Sequence, residues 1–170
     1  SGMDRVSLLR PSIGAIAMAG VWMIGLGGMG VVATKLSPWY YRLRQPSWKP
    51  SDVLFGPVWS TIFLCAAIAF VLAWSAESAT PAARSRLLVV YLANAVLNLL
   101  WSLLFFRLRR PDWALVEVVA LWSSIVAMIW ALAPLSKLGA GLILPYLAWV
   151  SFASVLNRAI VRLNAPFGAG

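Results

Sequence analysis

Five long apolar stretches, almost free of charge, constrain this chain more than any other feature of its sequence. A bilayer core about 30 Å thick is crossed by about 20 apolar helical residues. The alternation typical of a membrane β-barrel is missing, and a backbone in lipid must satisfy its own hydrogen bonds. We therefore predict an all-α fold, a five-transmembrane-helix bundle forming a single membrane domain over residues 1–170. The predicted spans are approximately residues 13–33, 53–76, 87–106, 113–135 and 138–157, with a long first loop at 34–52.

Composition supports a lipid bilayer as the surrounding solvent. Hydrophobic residues make up 62% of the chain and charged residues 11%, whereas soluble domains average about 45–50% and about 25%. Soluble monomers rarely expose apolar patches of the size that this composition would create. The first stretch is too long and too rich in glycine for a typical signal peptide, so we expect it to be a span.

The 14 lysines and arginines indicate orientation, because they lie almost entirely between the apolar stretches. We expect no nucleic-acid partner, since the chain has no basic helix and no nucleic-acid motif. The positive-inside rule places the richer side in the cytoplasm. We therefore predict an outside N-terminus, a cytoplasmic C-terminus and a bacterial cell membrane. The poorer side holds Arg5, Arg10, Arg84, Arg86 and Lys137; the richer side holds Lys35, Arg42, Arg44, Lys49, Arg107, Arg109, Arg110, Arg158 and Arg162.

Small residues dominate the first span, and small faces allow helices to approach closely in lipid. Two interpretations are open, packing within the bundle and a dimer interface. The glycines concerned are Gly14, Gly20, Gly25, Gly27, Gly28 and Gly30.

Few residues are suited to catalysis or to metal binding. Histidine is absent and Cys65 is the single cysteine, so we expect no metal and no cofactor, and the sequence contains no enzyme motif. Glu117 is the one acid inside a predicted span, and such a group is a functional hypothesis by default. It either reaches the interface near Asp112 and the neighbouring arginines or has a buried role.

Aromatic residues are more informative, with ten tryptophans in the chain. Those of the first loop, including Trp39 and Trp48, are either interfacial anchors or functional. Trp59 and Trp149 lie inside spans near prolines. Asn98 is a polar group deep in an apolar stretch and pairs either across helices or with a ligand. Aromatic rings with a few polar tips suit a flat apolar ligand better than an ion.

Four motifs together resemble those of one known family. They are Trp39-Tyr40 with Gln45–Pro50 in the first loop, Val58–Ser60 in the second span, Tyr91 through Asn98 and Trp101 to Phe106 in the third, and Pro145–Trp149 with Leu156-Asn157 in the last. The stretch from Leu36 to Asn164 resembles the TspO/translocator family, also called tryptophan-rich sensory proteins or peripheral benzodiazepine receptors.

The resemblance implies a homodimeric five-helix receptor that binds protoporphyrin IX or a related tetrapyrrole, and in some members sterols, with a sensory or tetrapyrrole-handling role. Light-dependent porphyrin degradation using Trp59 and Trp149 is an alternative, and a small transporter of lipophilic molecules is another. Arg42, Arg44 or Lys49 would meet porphyrin carboxylates while the ring stacks on Trp48 and Trp149. The implied ligand site comprises Trp39, Trp48, Trp59, Phe63, Tyr91, Asn98, Trp101, Tyr146, Trp149 and Ala153.

Two departures from the family pattern bear on ligand choice. Phe63 stands where the family has a pocket tyrosine, which removes a hydroxyl. Arg158 stands where the sterol-associated pattern requires an aromatic residue. We therefore expect porphyrin binding to be retained better than sterol binding.

Overall fold

The computed structural model describes residues 12–168, and this part of the chain contains helices but no β-strand. It confirms the predicted all-α fold, with five helical stretches that are long and apolar enough to cross a membrane. The predicted basic residues Arg5 and Arg10 lie outside the described residues. The helices of the described part are α1 (Ile13–Ala33), α2 (Pro38–Arg42), α3 (Phe55–Trp74), α4 (Pro81–Ser102), α5 (Pro111–Leu132), α6 (Lys137–Leu142) and α7 (Leu144–Asn164).

Capping residues and prolines define where the helices begin. The hydroxyls of Ser12, Thr80 and Ser136 each accept a hydrogen bond from a backbone N–H in the first turn of α1, α4 and α6. Proline occupies the first turn of α2, α4, α5 and α7. Its missing N–H costs nothing there, because the first N–H groups of a helix have no partner within the helix.

The third span begins at Pro81, earlier than the predicted residue 87. The prediction was based on hydropathy, which locates the apolar part of a helix and stops at the charge of Arg84 and Arg86. The Arg84 guanidinium donates to the carbonyl of Trp74 at 3.2 and 3.0 Å and lies 5.1 Å from the Trp74 ring centroid. A basic side chain therefore ties the start of α4 to the end of α3.

The last span, predicted as one helix over residues 138–157, consists of α6 and α7 and continues to Asn164. The break falls at Ile143, two residues before Pro145. Proline has no N–H to continue the hydrogen bonding of α6, so the helix ends and a new one begins with proline in its first turn. The small α6 packs closely on α3, since a Cβ added at Gly139 would lie 3.2 Å from the Ala69 carbonyl oxygen.

The first loop, predicted as residues 34–52, is folded rather than extended. It contains the helix α2, whose Tyr40 is only 2% exposed, and it ends in a 3-10 turn over Asp52–Leu54. The Arg44 N–H donates to Oδ1 of Asn164 at 2.7 Å, and Asn164 Nδ2 donates back to the Arg44 carbonyl at 2.8 Å. These bonds fix the loop to the end of α7.

Five helix pairs form most of the bundle: α4 with α5, α1 with α3, α5 with α7, α3 with α6 and α1 with α4. The glycine-rich face of α1 takes little part in these contacts. A Cβ added at Gly20, Gly25, Gly27, Gly28 or Gly30 would meet nothing within 4 Å. Packing within the described chain therefore does not explain these glycines.

Candidate ligand-binding site

A cavity of about 120 Å³ lies where the first loop meets α3, the end of α4 and α7. We call it the aromatic cavity. Aromatic and aliphatic side chains form most of its surface, and no acidic residue within residues 12–168 lines it. Its lining residues are Thr34, Tyr40, Lys49, Phe55, Trp59, Trp101, Ser102, Phe105, Phe106, Trp149, Phe152, Ala153, Leu156, Asn157 and Ile160.

One wall of the aromatic cavity is built by α3 and α7. The ring centroids of Trp59 and Trp149 are 6.4 Å apart and nearly perpendicular. Trp149 also contacts Phe55 at 5.9 Å and Phe152 at 5.7 Å between centroids. Phe55 and Trp59 are four residues apart on α3, and Trp149 and Phe152 three apart on α7, so each pair shares a helix face. The wall is therefore aromatic and apolar.

The opposite wall lies at the end of α4, where the helix widens into a π-helical turn over Leu103–Arg107. The Leu108 N–H donates to the Leu103 carbonyl at 2.8 Å, five residues back. This turn leaves the consecutive residues Phe105 and Phe106 only 3% and 7% exposed. Trp101 stacks on Phe105 at 5.1 Å between centroids. Single π-helical turns of this kind are frequent at functional sites.

The first loop closes the cavity with an ion pair and a tyrosine. Lys49 Nζ donates to Oδ1 of Asp52 at 2.6 Å, and the Tyr40 hydroxyl donates to the same oxygen at 2.7 Å. Burial, followed by the hydrogen bond to Asp52, raises the pKa of the Tyr40 hydroxyl, so this group remains protonated and donates. The Lys49 ammonium also lies 5.5 Å from the Phe55 ring centroid, which places a cation against the aromatic wall.

Two indole N–H groups in the cavity differ in their hydrogen bonding. Trp101 Nε1 donates to Oδ1 of Asn157 at 3.1 Å, and Asn157 Nδ2 donates to the Pro111 carbonyl at 2.9 Å. Trp149 Nε1 is buried and has no partner within the described chain. A buried donor without a partner is costly, so Trp149 provides an unused donor at the cavity wall.

A second cavity of about 340 Å³ shares Thr34, Phe55, Trp59 and Ser102 with the aromatic cavity. It continues toward α1 and is also lined by Phe63 and Asn98. The rings of Trp59 and Phe63 lie 5.3 Å apart between centroids. The shared side chains therefore separate two spaces that are neighbours in the bundle.

Asn98 takes part in a chain of hydrogen bonds across three helices. Its Nδ2 donates to the Tyr146 hydroxyl at 2.6 Å, and that hydroxyl donates to Oδ1 of Asn94 at 3.1 Å. Asn94 Nδ2 then donates to the Ser124 hydroxyl at 3.1 Å. The structure thus shows Asn98 pairing across helices. The side chain is 7% exposed and also lines the second cavity.

The predicted site residues are distributed in three groups. Those that line the aromatic cavity are Trp59, Trp101, Trp149 and Ala153, and those that line the second cavity are Trp59, Phe63 and Asn98. Tyr146 lies behind them, 6.0 Å from Trp59 between centroids. Trp48 packs on Phe152 at 5.8 Å and Trp39 on Phe105 at 6.4 Å, so both contact lining residues.

Tyr91 lies away from both cavities. Its hydroxyl donates to the Ala66 carbonyl at 2.7 Å, and its ring packs on Trp22 and Phe70. Tyr91 therefore joins α1, α3 and α4 at another level of the bundle.

Several lining residues were not among the predicted ones, notably Tyr40, Phe55, Phe105 and Phe152, whereas Lys49 was predicted as one of three cations that could meet a ligand's carboxylate. Helical spacing was an available signal for two of them, since Phe55 lies four residues before Trp59 and Phe152 three after Trp149. The inward position of Phe105 next to Phe106 depends on the π-helical turn, which has no clear sequence signal.

Glu117 does not reach the arginines near the start of α5. Both of its carboxylate oxygens are buried without a hydrogen-bond partner in the described chain, and neither cavity is lined by it. Of the two interpretations of Glu117, the structure agrees with the buried one. This position gives it no direct contact with a ligand in either cavity.

Comparison with known proteins identifies the family. A sequence profile of the TspO/MBR family matches residues 14–163. The chain belongs to the TspO/MBR family. The resemblance found in the four motifs is thereby confirmed, and the matched region contains all the residues that line the two cavities.

Relatives in the TspO/MBR family come from distant organisms. The chain is 40% identical over 146 residues to the tryptophan-rich protein TspO of Chlorobaculum tepidum, covering 83% of this chain and 89% of the relative. It is 33% identical over 132 residues to the translocator protein of Homo sapiens, covering 78% of each. It is 29% identical over 145 residues to the tryptophan-rich sensory protein of Cereibacter sphaeroides, covering 84% and 89%. Together with the five apolar helices, these relatives establish an integral, multi-pass membrane protein.

Proposed function

We propose that this protein binds a flat, apolar, conjugated ligand, a porphyrin such as protoporphyrin IX, in the aromatic cavity and has a sensory or tetrapyrrole-handling role. The main support is one observation: two aromatic walls from separate helices face a single cavity, and one lining residue, Trp149, has a buried N–H without a partner in the described chain. Broad aromatic faces bind a planar ring by stacking and edge contacts. The unpaired N–H can donate a hydrogen bond to an acceptor atom of the ligand.

The ligand must widen the site when it binds. The aromatic cavity has about 120 Å³, whereas pockets for drug-sized ligands have about 300–1,000 Å³. The second cavity adds about 340 Å³ and is separated from the first by shared side chains, including Phe55 and Trp59. We infer that rotation of these two side chains joins the two spaces around the ligand.

Titration of the purified protein with protoporphyrin IX tests this proposal, with porphyrin absorbance as the readout. Trp149→Phe removes the unpaired N–H and keeps an aromatic ring. Because a neutral hydrogen bond contributes about 0.5–1.5 kcal/mol, we expect affinity to fall about 2- to 10-fold. Trp130, which is 64% exposed to the lipid side, provides the control Trp130→Phe. A lack of saturation, or equal affinities for the two variants, would count against the proposal.

Light-dependent porphyrin degradation is the second candidate, favoured by the position of Trp59 and Trp149 in one wall at 6.4 Å. Both indoles line the cavity and would contact a bound ring, and light with dioxygen would supply the oxidation. Illumination of the complex should then produce a new absorption spectrum that depends on both tryptophans. Product formation that persists in Trp59→Phe and Trp149→Phe would exclude this mechanism. Trp130→Phe is again the matched control.

Sterol binding is not part of the proposal. The sterol-associated pattern is weak even when complete, and here its aromatic position is occupied by Arg158, which is exposed on α7. A charged side chain at this position offers a sterol neither a ring to stack on nor an apolar surface.

We infer from the basic residues that the first loop and the end of α7 face the cytoplasm of a bacterial cell. Single cysteines at the exposed positions Ser47 and Ser78, in a chain with Cys65→Ala, test this with a membrane-impermeant maleimide. In intact cells only Ser78→Cys should be labelled. Labelling of Ser47→Cys instead would reverse the orientation.

We also infer that the side of α1 with Gly25 and Gly28 contacts a second copy of the chain. Small residues allow close helix approach in lipid, and these two glycines, three residues apart, line neither cavity and have no atom within 4 Å of an added Cβ. Gly25→Leu should lower the mass measured by light scattering in detergent, whereas Gly141→Leu, at an equally open position on α6, should not. An unchanged mass in Gly25→Leu would contradict the interface.

A further inference from the structure

The polar groups around the aromatic cavity consist mainly of donors. Lys49 and the unpaired Nε1 of Trp149 only donate. The Asn157 side chain is fully used, because its oxygen accepts from Trp101 and its nitrogen donates to the Pro111 carbonyl. The remaining side-chain groups are the hydroxyls of Thr34 and Ser102, which can donate or accept, and that of Tyr40, whose proton is already donated to Asp52. A ligand that fits this surface therefore presents acceptors.

Lys49 is the charged group that lines the cavity, and it is well shielded, with 9% of its side chain exposed. Two of its three N–H groups have partners, Asp52 Oδ1 at 2.6 Å and the Pro50 carbonyl at 3.3 Å. The ammonium lies 5.5 Å from the Phe55 ring centroid and 5.8 Å from that of Tyr40. Its third N–H remains for a ligand.

Asp52 neutralises Lys49 without entering the aromatic cavity. Its carboxylate lines the second cavity and begins the helical turn before α3, where the helix dipole favours a negative charge. It also holds the Tyr40 hydroxyl at 2.7 Å. The pair therefore places its positive end toward the aromatic cavity and its negative end away from it.

The other basic residues of the first loop do not line the cavity. Arg42 and Arg44 are exposed, and the backbone of Arg44 is bound to Asn164. Of the three cations considered from the sequence for a ligand's carboxylate, Lys49 is the one that reaches the ligand space. One cation in the lining binds one carboxylate directly.

We propose that Lys49 makes the site selective for flat apolar ligands that carry a carboxylate, with one carboxylate bound at the third N–H of its ammonium. Asp52 orients the Lys49 ammonium when the site is empty and competes with the ligand when it is full. This inference rests on the proposed function, since it names the ligand class of the same cavity. A charge-assisted hydrogen bond in a shielded site corresponds to about a 10- to 100-fold preference for the acid over its ester.

Two probe pairs separate this inference from the proposed function. The first pair is protoporphyrin IX and its dimethyl ester, followed by porphyrin absorbance. The second is 1-pyrenebutyric acid and its methyl ester, followed by energy transfer from tryptophan to pyrene. In each pair the apolar ring is unchanged and only the negative charge is removed, so the ratio of the two dissociation constants measures the selectivity.

The variants move that ratio in opposite directions if Lys49 selects the acid. Lys49→Met should abolish the preference for the acid and leave the affinity for the ester unchanged. Asp52→Asn should strengthen the preference, because it removes the competing charge while its amide oxygen still accepts from Tyr40. Arg42→Met, which removes an exposed cation of the same loop, should keep the wild-type ratio.

The ratios measured with these variants either support or overturn the role of Lys49. If the pair were only structural, Lys49→Met and Asp52→Asn would change the ratio in the same direction, and this result overturns the inference. An unchanged ratio in Lys49→Met overturns it as well. Should Lys49→Met alone not fold, the double variant Lys49→Met/Asp52→Asn, without an unpaired charge, is expected to show no preference, and a retained preference refutes the inference. If porphyrins do not bind but the pyrene ratio depends on Lys49, the porphyrin proposal fails and the selectivity stands.

Discussion

The Tyr146 hydroxyl joins α7 to α4, and through Asn94 it continues to Ser124 on α5. Tyr146→Phe removes the hydroxyl without changing the ring. The residue is 1% exposed. Its hydroxyl accepts from Asn98 at 2.6 Å and donates to Asn94 at 3.1 Å. The substitution leaves an amide donor and an amide oxygen without partners, and Asn94 is 0% exposed, so solvent cannot replace the lost bonds.

The expected cost follows from the number of bonds and their surroundings. Hydrogen bonds between membrane helices contribute about 0.6 kcal/mol on average and up to about 1.7. Two such bonds therefore correspond to about 1–3 kcal/mol, within the range for buried groups left unsatisfied. For a chain of 170 residues, this corresponds to a decrease of about 3–10 °C in Tm.

Thermal unfolding of the purified protein in detergent measures this decrease. Tyr41→Phe is the matched control, because Tyr41 is 64% exposed and should tolerate the same change. A double-mutant cycle with Asn94→Leu isolates the coupling of the Tyr146–Asn94 bond, which should be about half of the loss in Tyr146→Phe, because the bond from Asn98 is not part of this cycle. Equal Tm values for Tyr146→Phe and Tyr41→Phe would show that the buried amides find other partners and would refute this argument.

Two further predictions concern polar groups inside the spans. Asn157→Leu should lower Tm by a similar amount, because it leaves the Trp101 N–H and the Pro111 carbonyl unpaired; an unchanged Tm would contradict this, with Ser154→Ala as the control. Glu117→Gln should not lower Tm or porphyrin affinity, because the carboxylate has no partner within the described chain and lies outside both cavities. Loss of ligand uptake with binding retained in Glu117→Gln would favour the transporter alternative instead.

The fold was predictable from hydropathy because the solvent is lipid. A span must be apolar and helical along its length, and α1 coincides with the predicted residues 13–33. The start of α4 and the end of α7 were less predictable. Both helices continue into charged sequence, at Arg84 and at Arg162, where hydropathy no longer distinguishes helix from loop.

The candidate site was predictable only in part. Trp59 and Trp149 were found from their position inside spans near prolines and through the family motifs. Lys49 was one of three equivalent cations in the sequence. Its selection depends on Asp52, three residues later, and on the fold of the first loop against the Phe55 ring, and these contacts exist only in three dimensions.

Hydrogen-bond satisfaction and position in the cavity lining together separate the structural polar groups of this protein from those suited to a ligand, because the buried Glu117 oxygens also lack a partner in the described chain but line neither cavity. Asn94, Asn98 and Asn157 each have partners on other helices, as groups buried in a membrane protein require. The Trp149 N–H has no partner, and the Lys49 ammonium has one proton without a partner at the same cavity. Since an unsatisfied donor in a low-dielectric interior is costly, its presence there, rather than the number of aromatic rings, is the reason to place the ligand's acceptor groups between Trp149 and Lys49.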